Sequence, residues 1–480
     1  DCFNRMKCES LTPNVVTFIG VLSACGNVKA IGKGKQIHDE ITRTDFLGSN
    51  LMLGNALVDM YALCNMLEKA HEVLEKIPIR NAGSWNALIA GYAQSHGRGH
   101  EALHCFEQMQ HEGIPPDEAT FTCIMKACGM LGDIAKGKEI HDEIAYRGLL
   151  KKDAILGNAL VDMYAKCGML EKAQKILEQL CVRDVVSWSA LIVGYTQQGQ
   201  YHEALNCFEG MQNEGLSPDA ISFTWILKAC GRTESIEKGK QIHNEVMQRG
   251  LLEKDIRMAN ALMDMYAKCG MLLKAQEVLQ GLPIRSAVSW SVLIAGYIQQ
   301  GKCHEALKCF NQMQCDGVTP DAVTFICVLK ACGNIGALDK GKEIHDNIVS
   351  WNLLEKDAAL ASALIDMYSK CGMLSKAEEA LQELSIRNVA SCSALISGYV
   401  QQEQSYEALA FHEQMQSEGI LPDVVTYICV LKACGKIGAM DKGQRIHEQI
   451  ISRSLLGKDA ILGNALLDMY IKCGMLGKAQ

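Results

Sequence analysis

Residues 154–184 read AILGNALVDMYAKCGMLEKAQKILEQLCVRD, and this stretch decides the fold class. Its apolar residues recur at helical spacing in two stripes, one on each side of Gly168. The first stripe holds Ala159, Leu160, Met163, Tyr164 and Cys167, and the second holds Leu170, Ala173, Ile176, Leu177 and Leu180. Gly168 stands where a helix should end, and Asp153 and Asp184 stand where helix N-caps belong. The stretch therefore predicts two helices joined by a short turn.

Copies of this helix pair make up the chain. Asp117, Asp219, Asp321 and Asp423 follow one another at intervals of 102 residues, and each block divides into units of 36, 31 and 35 residues, called here long, short and standard units. The first block holds one extra residue, which we place in the loop 95–99. The pattern predicts one array over residues 1–480: long units 15–50, 118–153, 220–255, 322–357 and 424–459, short units 51–81, 154–184, 256–286 and 358–388, standard units 82–117, 185–219, 287–321 and 389–423, and partial units 1–14 and 460–480.

A single helix pair cannot bury both of its apolar stripes, whereas a stack of pairs can. The sequence therefore predicts an all-α solenoid of stacked helix-turn-helix repeats. In the long unit 118–153, Cys128-Gly129 is expected to end the first helix and Gly148 the second. The run Gly32-Lys33-Gly34-Lys35 and its copies are expected to be turn residues at a helix start.

Composition excludes several classes of protein. The sequence has no run of about 20 apolar residues, so no membrane partner is expected. The net charge of −8 argues against bulk electrostatic attraction to nucleic acid, although a local basic row is compatible with it. Residues Asp1 to Arg5 do not resemble a targeting peptide, and the chain stops at Gln480 midway through a short unit, which is typical of a segment of a longer protein.

No catalytic, metal or cofactor site is expected. The 22 cysteines form no C-x-x-C pair, so we interpret them as buried thiols in a reducing compartment. His38, His141 and His243 each begin an H-x-E triplet, but the P-C-x-x-C half of a zinc deaminase signature is missing. They recur at one place in each long unit and are interpreted as helix residues. No phosphate-binding loop is present, and no small-molecule substrate is expected.

Three motifs recur in fixed order across the chain. Short units carry GNALVDMYAKCG at 157–168, with copies at 259–270, 361–372 and 463–474; standard units carry VSWSALIVGY at 186–195; long units carry LKACG at 227–231 and GKQIH at 239–243. These motifs resemble those of the pentatricopeptide repeat family, specifically its plant subclass with alternating long, short and standard motifs. The resemblance covers essentially all 480 residues. It implies a right-handed superhelix that binds single-stranded RNA in mitochondria or chloroplasts.

The resemblance also implies that each repeat addresses about one base. The fifth residue of the first helix and the last residue of the unit read the base edge together, which suits short polar side chains. The candidate pairs are Asn55/Asn81, Asn158/Asp184, Asn260/Ser286 and Ser362/Asn388 in short units, and Asn86/Asp117, Ser189/Asp219, Ser291/Asp321 and Ser393/Asp423 in standard units. The alternative interpretation is that the last residues are only N-caps of the next helix.

The family's code turns these pairs into a predicted target. Long units are poorly coded, because their fifth residues are Ile19, Thr122, Thr224, Ile326 and Ile428, and isoleucine cannot hydrogen-bond a base. With N for a long unit and Y for a pyrimidine, the implied RNA is 5′-N-Y-U-N-U-G-N-C-G-N-A-G-N-3′.

Lysines form the second candidate set. Lys126, Lys228, Lys330 and Lys432 lie four residues after the fifth position of their units, and Lys166, Lys268, Lys370 and Lys472 lie eight residues after it. If these lysines share a helix face with the fifth residue, they would contact the phosphates of a bound RNA. The alternative is that they only complement the dipole at a helix C-terminus.

Within this subclass the implied role is to specify sites of C-to-U editing, with an editing deaminase or accessory protein acting in trans, or to process or stabilise RNA by occupancy. The alternative from another class is a protein-binding scaffold of the tetratricopeptide type. An enzyme is the least favoured interpretation.

Overall fold

The computed structural model describes residues 2–9, 11–43, 50–151, 154–252, 255–354, 357–384, 387–456 and 460–475. In these ranges every regular element is a helix, which confirms the predicted all-α repeat solenoid. The chain forms two compact units, residues 1–233 and 234–480. Asp153, expected as an N-cap, lies outside the described residues. The single array over 1–480 stays a prediction.

The helices of residues 1–233 are α1 (Cys2–Cys8), α2 (Val15–Val28), α3 (Ile31–Arg43), α4 (Leu51–Leu63), α5 (Leu67–Lys76), α6 (Ala82–Gln94), α7 (Gly99–His111), α8 (Glu118–Leu131), α9 (Ile134–Tyr146), α10 (Ala154–Lys166), α11 (Leu170–Gln179), α12 (Val185–Gln197), α13 (Tyr201–Asn213) and α14 (Ala220–Thr233). A 3₁₀ turn at Leu149–Lys151 follows α9.

The helices of residues 234–480 are α15 (Ile236–Gln248), α16 (Ile256–Lys268), α17 (Leu272–Gln280), α18 (Ala287–Gln299), α19 (Cys303–Cys315), α20 (Ala322–Ile335), α21 (Leu338–Ser350), α22 (Ala358–Lys370), α23 (Leu374–Gln382), α24 (Val389–Gln401), α25 (Ser405–Ser417), α26 (Val424–Ile437), α27 (Met440–Ser452) and α28 (Ala460–Lys472).

Even-numbered helices are the first helices of the repeats, and odd-numbered helices are the second. Each first helix starts at the residue where the sequence places the start of a unit. Within each compact unit the first helices pack on one another in order, as α8, α10 and α12 do, and second helices such as α9 and α11 pack on their own first helix and on the next one. In each compact unit the first helices therefore form one continuous layer, and that layer carries the candidate pairs.

Two predictions about glycine are wrong. Helix α8 runs past Cys128-Gly129 to Leu131 and ends at Gly132, whose φ is 70°. Gly129 is buried inside the helix, where a Cβ would lie 3.3 Å from the Cα of Met163 in the next first helix. The run Gly32 to Lys35 likewise lies within α3, where a Cβ on Gly34 would come 2.5 Å from Met60 Sδ. These glycines make room for the neighbouring repeat and do not reverse the chain.

The recurring histidines join successive repeats. His141 Nδ1 lies 3.0 Å from the hydroxyl of Tyr164, and the same pair recurs as His38–Tyr61, His243–Tyr266, His345–Tyr368 and His447–Tyr470. Burial lowers the pKa of His141, so its neutral form is favoured. Among the described residues no group of His, Cys, Asp and Glu side chains is arranged to hold a metal ion. The structure thus gives these histidines a packing role between repeats.

Most of the described cysteines are part of the same packing, but the predicted burial is wrong for Cys8, Cys181 and Cys315, which are exposed. Cys128 is fully buried, and burial raises its pKa to about 12. The thiol of Cys167 lies 3.7 Å from the carbonyl oxygen of Cys128, and equivalent contacts recur in other repeats. All cysteines whose surroundings are described are free thiols. In the described ranges no helix has the length and apolar character that crossing a bilayer requires.

Candidate nucleic-acid interface

In six of the eight candidate pairs the fifth residue of a first helix lies within hydrogen-bonding distance of the residue that caps the next first helix. Ser291 and Asp321 are linked through Thr324. Asn86 Nδ2 in α6 donates to both carboxylate oxygens of Asp117, at 2.9 and 3.1 Å, and Asn158 Nδ2 donates to Asp184 Oδ2 at 2.8 Å. Four more pairs are joined by longer bonds of 3.4 Å: Asn55/Asn81, Ser189/Asp219, Ser362/Asn388 and Ser393/Asp423. The structure therefore brings together residues that lie 26 to 31 positions apart in sequence.

The last residues of all eight candidate pairs are N-caps of the next first helix. Asp117 Oδ1 accepts from the backbone N–H of Thr120 at 2.9 Å, and Asp321 Oδ1 accepts from that of Thr324 at 2.8 Å. The same bond is made by the last residue of every other candidate pair: Asn81, Asp184, Asp219, Ser286, Asn388 and Asp423. Because a carboxylate has several acceptor positions, capping leaves capacity for a ligand.

Hydrogen bonding favours the charged form of the Asp117 carboxylate. Burial alone would raise the pKa of Asp117, but the backbone N–H of Thr120 and the amide of Asn86 outweigh it, and the pKa is lowered overall. Asp117 therefore presents only hydrogen-bond acceptors at neutral pH.

Each candidate pair lies beside a third polar side chain, a buried hydroxyl, that the sequence analysis does not identify. The third residue of the following first helix is a fully buried serine or threonine, such as Thr120, whose Oγ1 lies 2.6 Å from Asn86 Oδ1 and 2.9 Å from Asp117 Oδ1. Such a hydroxyl follows every candidate pair: Ser84, Thr120, Ser187, Ser222, Ser289, Thr324, Ser391 and Thr426. After long units the same position holds Leu53, Leu156, Met258, Leu360 or Leu462. This alternation is the sequence signal that could have revealed the cluster.

The fifth residues differ in exposure. Ser189, Ser291 and Ser393 are only 5–6% exposed, and Asn158 is 8% exposed. The side-chain oxygens of Asn158 and Asn260 are buried without a hydrogen-bond partner. In long units the polar fifth residues are engaged by their own helices, since Thr122 Oγ1 donates to the carbonyl oxygen of Glu118 at 2.8 Å. The long units with isoleucine at this position offer no polar side chain there.

Exposed apolar side chains stand beside the pairs at the second position of the first helices. A Cβ on Gly83, which occupies this position in α6, would lie 3.2 Å from Asn55 Nδ2 and 3.3 Å from Asn81 Oδ1. In nine other first helices the position holds a large apolar residue that is more than half exposed: Val16, Met52, Ile155, Val186, Ile221, Val288, Val323, Val425 and Ile461. Exposed valine and isoleucine at a helix start, outside the buried stripe, form a surface suited to stacking against a flat ring.

The two lysine sets differ in their partners. Lys166 Nζ forms an ion pair with Asp162 at 2.6 Å, and Lys268, Lys370 and Lys472 pair with the aspartate one turn earlier in the same way. Lys126, Lys228, Lys330 and Lys432 are exposed and, in the described part of the chain, have no carboxylate within ion-pair distance. Uncompensated positive charge on the first-helix layer therefore comes from the long units.

Family models described as PPR repeat family match residues 80–130, 183–232, 285–334 and 387–436, and models described as PPR repeat match residues 55–81, 119–149, 158–185, 257–283 and 361–389. The chain belongs to the pentatricopeptide repeat family. Two Arabidopsis thaliana pentatricopeptide repeat-containing proteins, one named as mitochondrial, are each 35% identical over the full chain, and one named as chloroplastic is 33% identical over 96% of it. The chain spans 46%, 69% and 53% of their lengths.

Solved pentatricopeptide repeat structures share the fold. The maize protein PPR10 superposes with a TM-score of 0.61 over 99% of this chain and 74% of its own, at 19% identity. PPR10 in complex with an 18-nucleotide psaJ RNA element superposes with a TM-score of 0.53 over 92% of this chain and 74% of its own, at 17% identity.

Proposed function

We propose that this pentatricopeptide repeat chain binds single-stranded RNA and that its short and standard units each read one base. The observation that carries the proposal is the repeated junction: a hydrogen-bonded polar pair, such as Asn86 and Asp117, next to the exposed position that Val186 or Val425 fills elsewhere. A flat apolar surface beside fixed donors and acceptors suits an unstacked base, whose ring stacks while its Watson–Crick edge is hydrogen-bonded. The RNA complex of PPR10 supports the same partner.

Long units act as spacers in this proposal. Their fifth residues are isoleucine, or threonine bonded to its own helix, and no buried hydroxyl follows them. Their exposed lysines, such as Lys126, contact phosphates instead. The readable register is then Y-U, U-G, C-G and A-G, each pair separated by one unread nucleotide.

The organellar role extends the proposal. The alternation of 36, 31 and 35 residues supports the subclass with long, short and standard motifs. The names of the mitochondrial and chloroplastic relatives support work on an organellar transcript. In that setting the chain specifies a site for C-to-U editing or other processing, with any deaminase supplied in trans.

Selection from a random single-stranded RNA pool tests the proposal directly. We expect enriched sequences with fixed bases at the short and standard positions and random bases at each long position. The matched control is the complementary RNA, which should bind more weakly. Equal binding of the complement would refute base reading, and absence of any salt-sensitive binding to RNA would favour a protein-binding scaffold instead.

A further inference from the structure

In standard units whose fifth residue is serine, hydrogen bonds link that serine, the buried hydroxyl of the next first helix and the capping aspartate in series. Thr324 Oγ1 lies 2.7 Å from Asp321 Oδ1, and Ser291 Oγ lies 2.6 Å from Thr324 Oγ1. The carboxylate has no proton to give, so Thr324 donates to Asp321 and Ser291 donates to Thr324. The same arrangement recurs at Ser189, Ser222 and Asp219 and at Ser393, Thr426 and Asp423.

The direction of these hydrogen bonds determines which hydrogen-bonding group the serine presents to a ligand. A serine hydroxyl has one proton, and here that proton points into the protein. In Ser189 and Ser393 a backbone carbonyl oxygen of the same helix lies 2.6 and 2.7 Å from Oγ, so both acceptors available to the single proton lie inside the protein. Only oxygen lone pairs remain for a ligand, so these serines are acceptors.

The asparagine-containing standard unit has the opposite polarity. Thr120 Oγ1 lies 2.6 Å from Asn86 Oδ1, and Asp117 accepts from Asn86 Nδ2. The amide is therefore held with its oxygen engaged inside the protein. Its remaining N–H is the group left for a ligand, so Asn86 is a donor.

We propose that the buried hydroxyls of Thr120, Ser222, Thr324 and Thr426 are positioning residues that set whether the fifth residue of a standard unit meets RNA as a donor or as an acceptor. The inference rests on the proposed RNA-binding function. An acceptor serine beside an acceptor aspartate matches two neighbouring donors, as on the N1–H and N2–H edge of guanine. A donor asparagine beside an acceptor aspartate matches the acceptor and donor edge of uracil.

Helix capping alone does not explain these hydroxyls. The cap Asp357 precedes an apolar third residue, and it still accepts from the backbone N–H groups of Ala359 and Leu360 at 2.9 and 3.2 Å. That junction closes a long unit, whose fifth residue is Ile326. At this junction the hydroxyl is absent and there is no polar fifth residue to orient, although the cap is retained.

The test compares Thr324→Val, which removes the hydroxyl but keeps the shape, with Thr324→Ser, which keeps the hydroxyl. Each variant is titrated with the RNA selected by the unaltered chain and with the same RNA carrying U in place of G opposite unit 287–321. Without Thr324, Ser291 can turn its proton outward and donate to uracil. We expect the preference for G over U to fall about five- to tenfold in Thr324→Val, a factor set by the net strength of one hydrogen bond, and to be retained in Thr324→Ser.

Thr17→Val is the matched control, because among the described residues the hydrogen bond of Thr17 Oγ1 goes to its cap Asn14, which closes the partial unit 1–14. The ratio of two affinities from one preparation does not depend on its folded fraction, so partial unfolding cannot imitate the effect. An unchanged ratio in Thr324→Val, or an equal loss in Thr17→Val, overturns the inference while leaving RNA binding intact. Failure of the unaltered chain to bind any single-stranded RNA overturns the proposed function as well.

Discussion

At the residue scale, tryptophans near the start of two standard units donate hydrogen bonds to glutamates near the end of the same units. Trp188 Nε1 donates to Glu214 Oε2 at 2.9 Å, and Trp85 Nε1 donates to Glu112 Oε2 at 3.1 Å. In the third standard unit the acidic residue is Asp316, one methylene shorter, and the buried indole N–H of Trp290 has no partner. An unpaired buried donor costs free energy that the other two units do not lose.

Lengthening this acid should therefore stabilise the protein. We expect Asp316→Glu to restore the bond to Trp290 and to raise the free energy of unfolding by about 1 kcal/mol. The measurement is the midpoint of urea unfolding. Glu214→Asp is the matched reverse change and should lower stability by a similar amount. An unchanged midpoint in Asp316→Glu would contradict the assignment.

The candidate pairs show how far residue patterns reach. Asn and Asp residues could be predicted at the junctions because they stand at a fixed period and before helix starts. Thr120 and its equivalents are harder to recognise, because one serine or threonine in a first helical turn resembles an ordinary helix residue. Only the alternation with leucine or methionine after long units marks the position. What distinguishes Thr120 is its contact with Asn86, 34 residues away.

At the scale of the element, glycine explains where sequence reasoning fails. Helix starts could be predicted to the residue, since Asp117 and its equivalents cap them. The end of α8 could not, because glycine serves both left-handed caps such as Gly132 and close contacts such as Gly129. Only the neighbouring helix separates the two uses.

Glycines inside helices should respond to alanine in opposite ways. A Cβ on Gly194 in α12 would lie 2.9 Å from Ala165 Cβ and 2.8 Å from Leu170 Cδ2, so Gly194→Ala should destabilise the protein by about 1–3 kcal/mol through overpacking. Gly20 in α2 is exposed, and a Cβ added there would have no atom of another element within 4 Å. Gly20→Ala should therefore stabilise the protein by up to about 1 kcal/mol through helix propensity. Thermal unfolding measures both. A shift of the same sign in the two variants would show that interhelical distance does not select glycine at 194.

At the scale of the whole molecule, the sequence carries a net charge of −8, yet we propose a polyanion as its partner. The contradiction is resolved locally. In short units the lysines are paired with aspartates such as Asp162. No such partner is seen among the described residues for the long-unit lysines Lys126, Lys228, Lys330 and Lys432. Placement on the first-helix layer, rather than net charge, should therefore govern RNA binding.

The effect of lysine placement can be separated from that of net charge with two sets of three lysine substitutions. Lys126, Lys330 and Lys432 are exposed on the first helices of long units, whereas Lys35, Lys138 and Lys342 are exposed on second helices of long units. Glutamine at the three first-helix positions should weaken binding to every RNA sequence alike. The slope of log affinity against log salt should also fall by about two, because each phosphate contact on a single strand contributes roughly 0.7. Glutamine at the three second-helix positions makes the same change in net charge and should leave the slope unchanged. If both sets reduce the slope equally, RNA responds to total charge, and the first-helix layer is not the surface that phosphates contact.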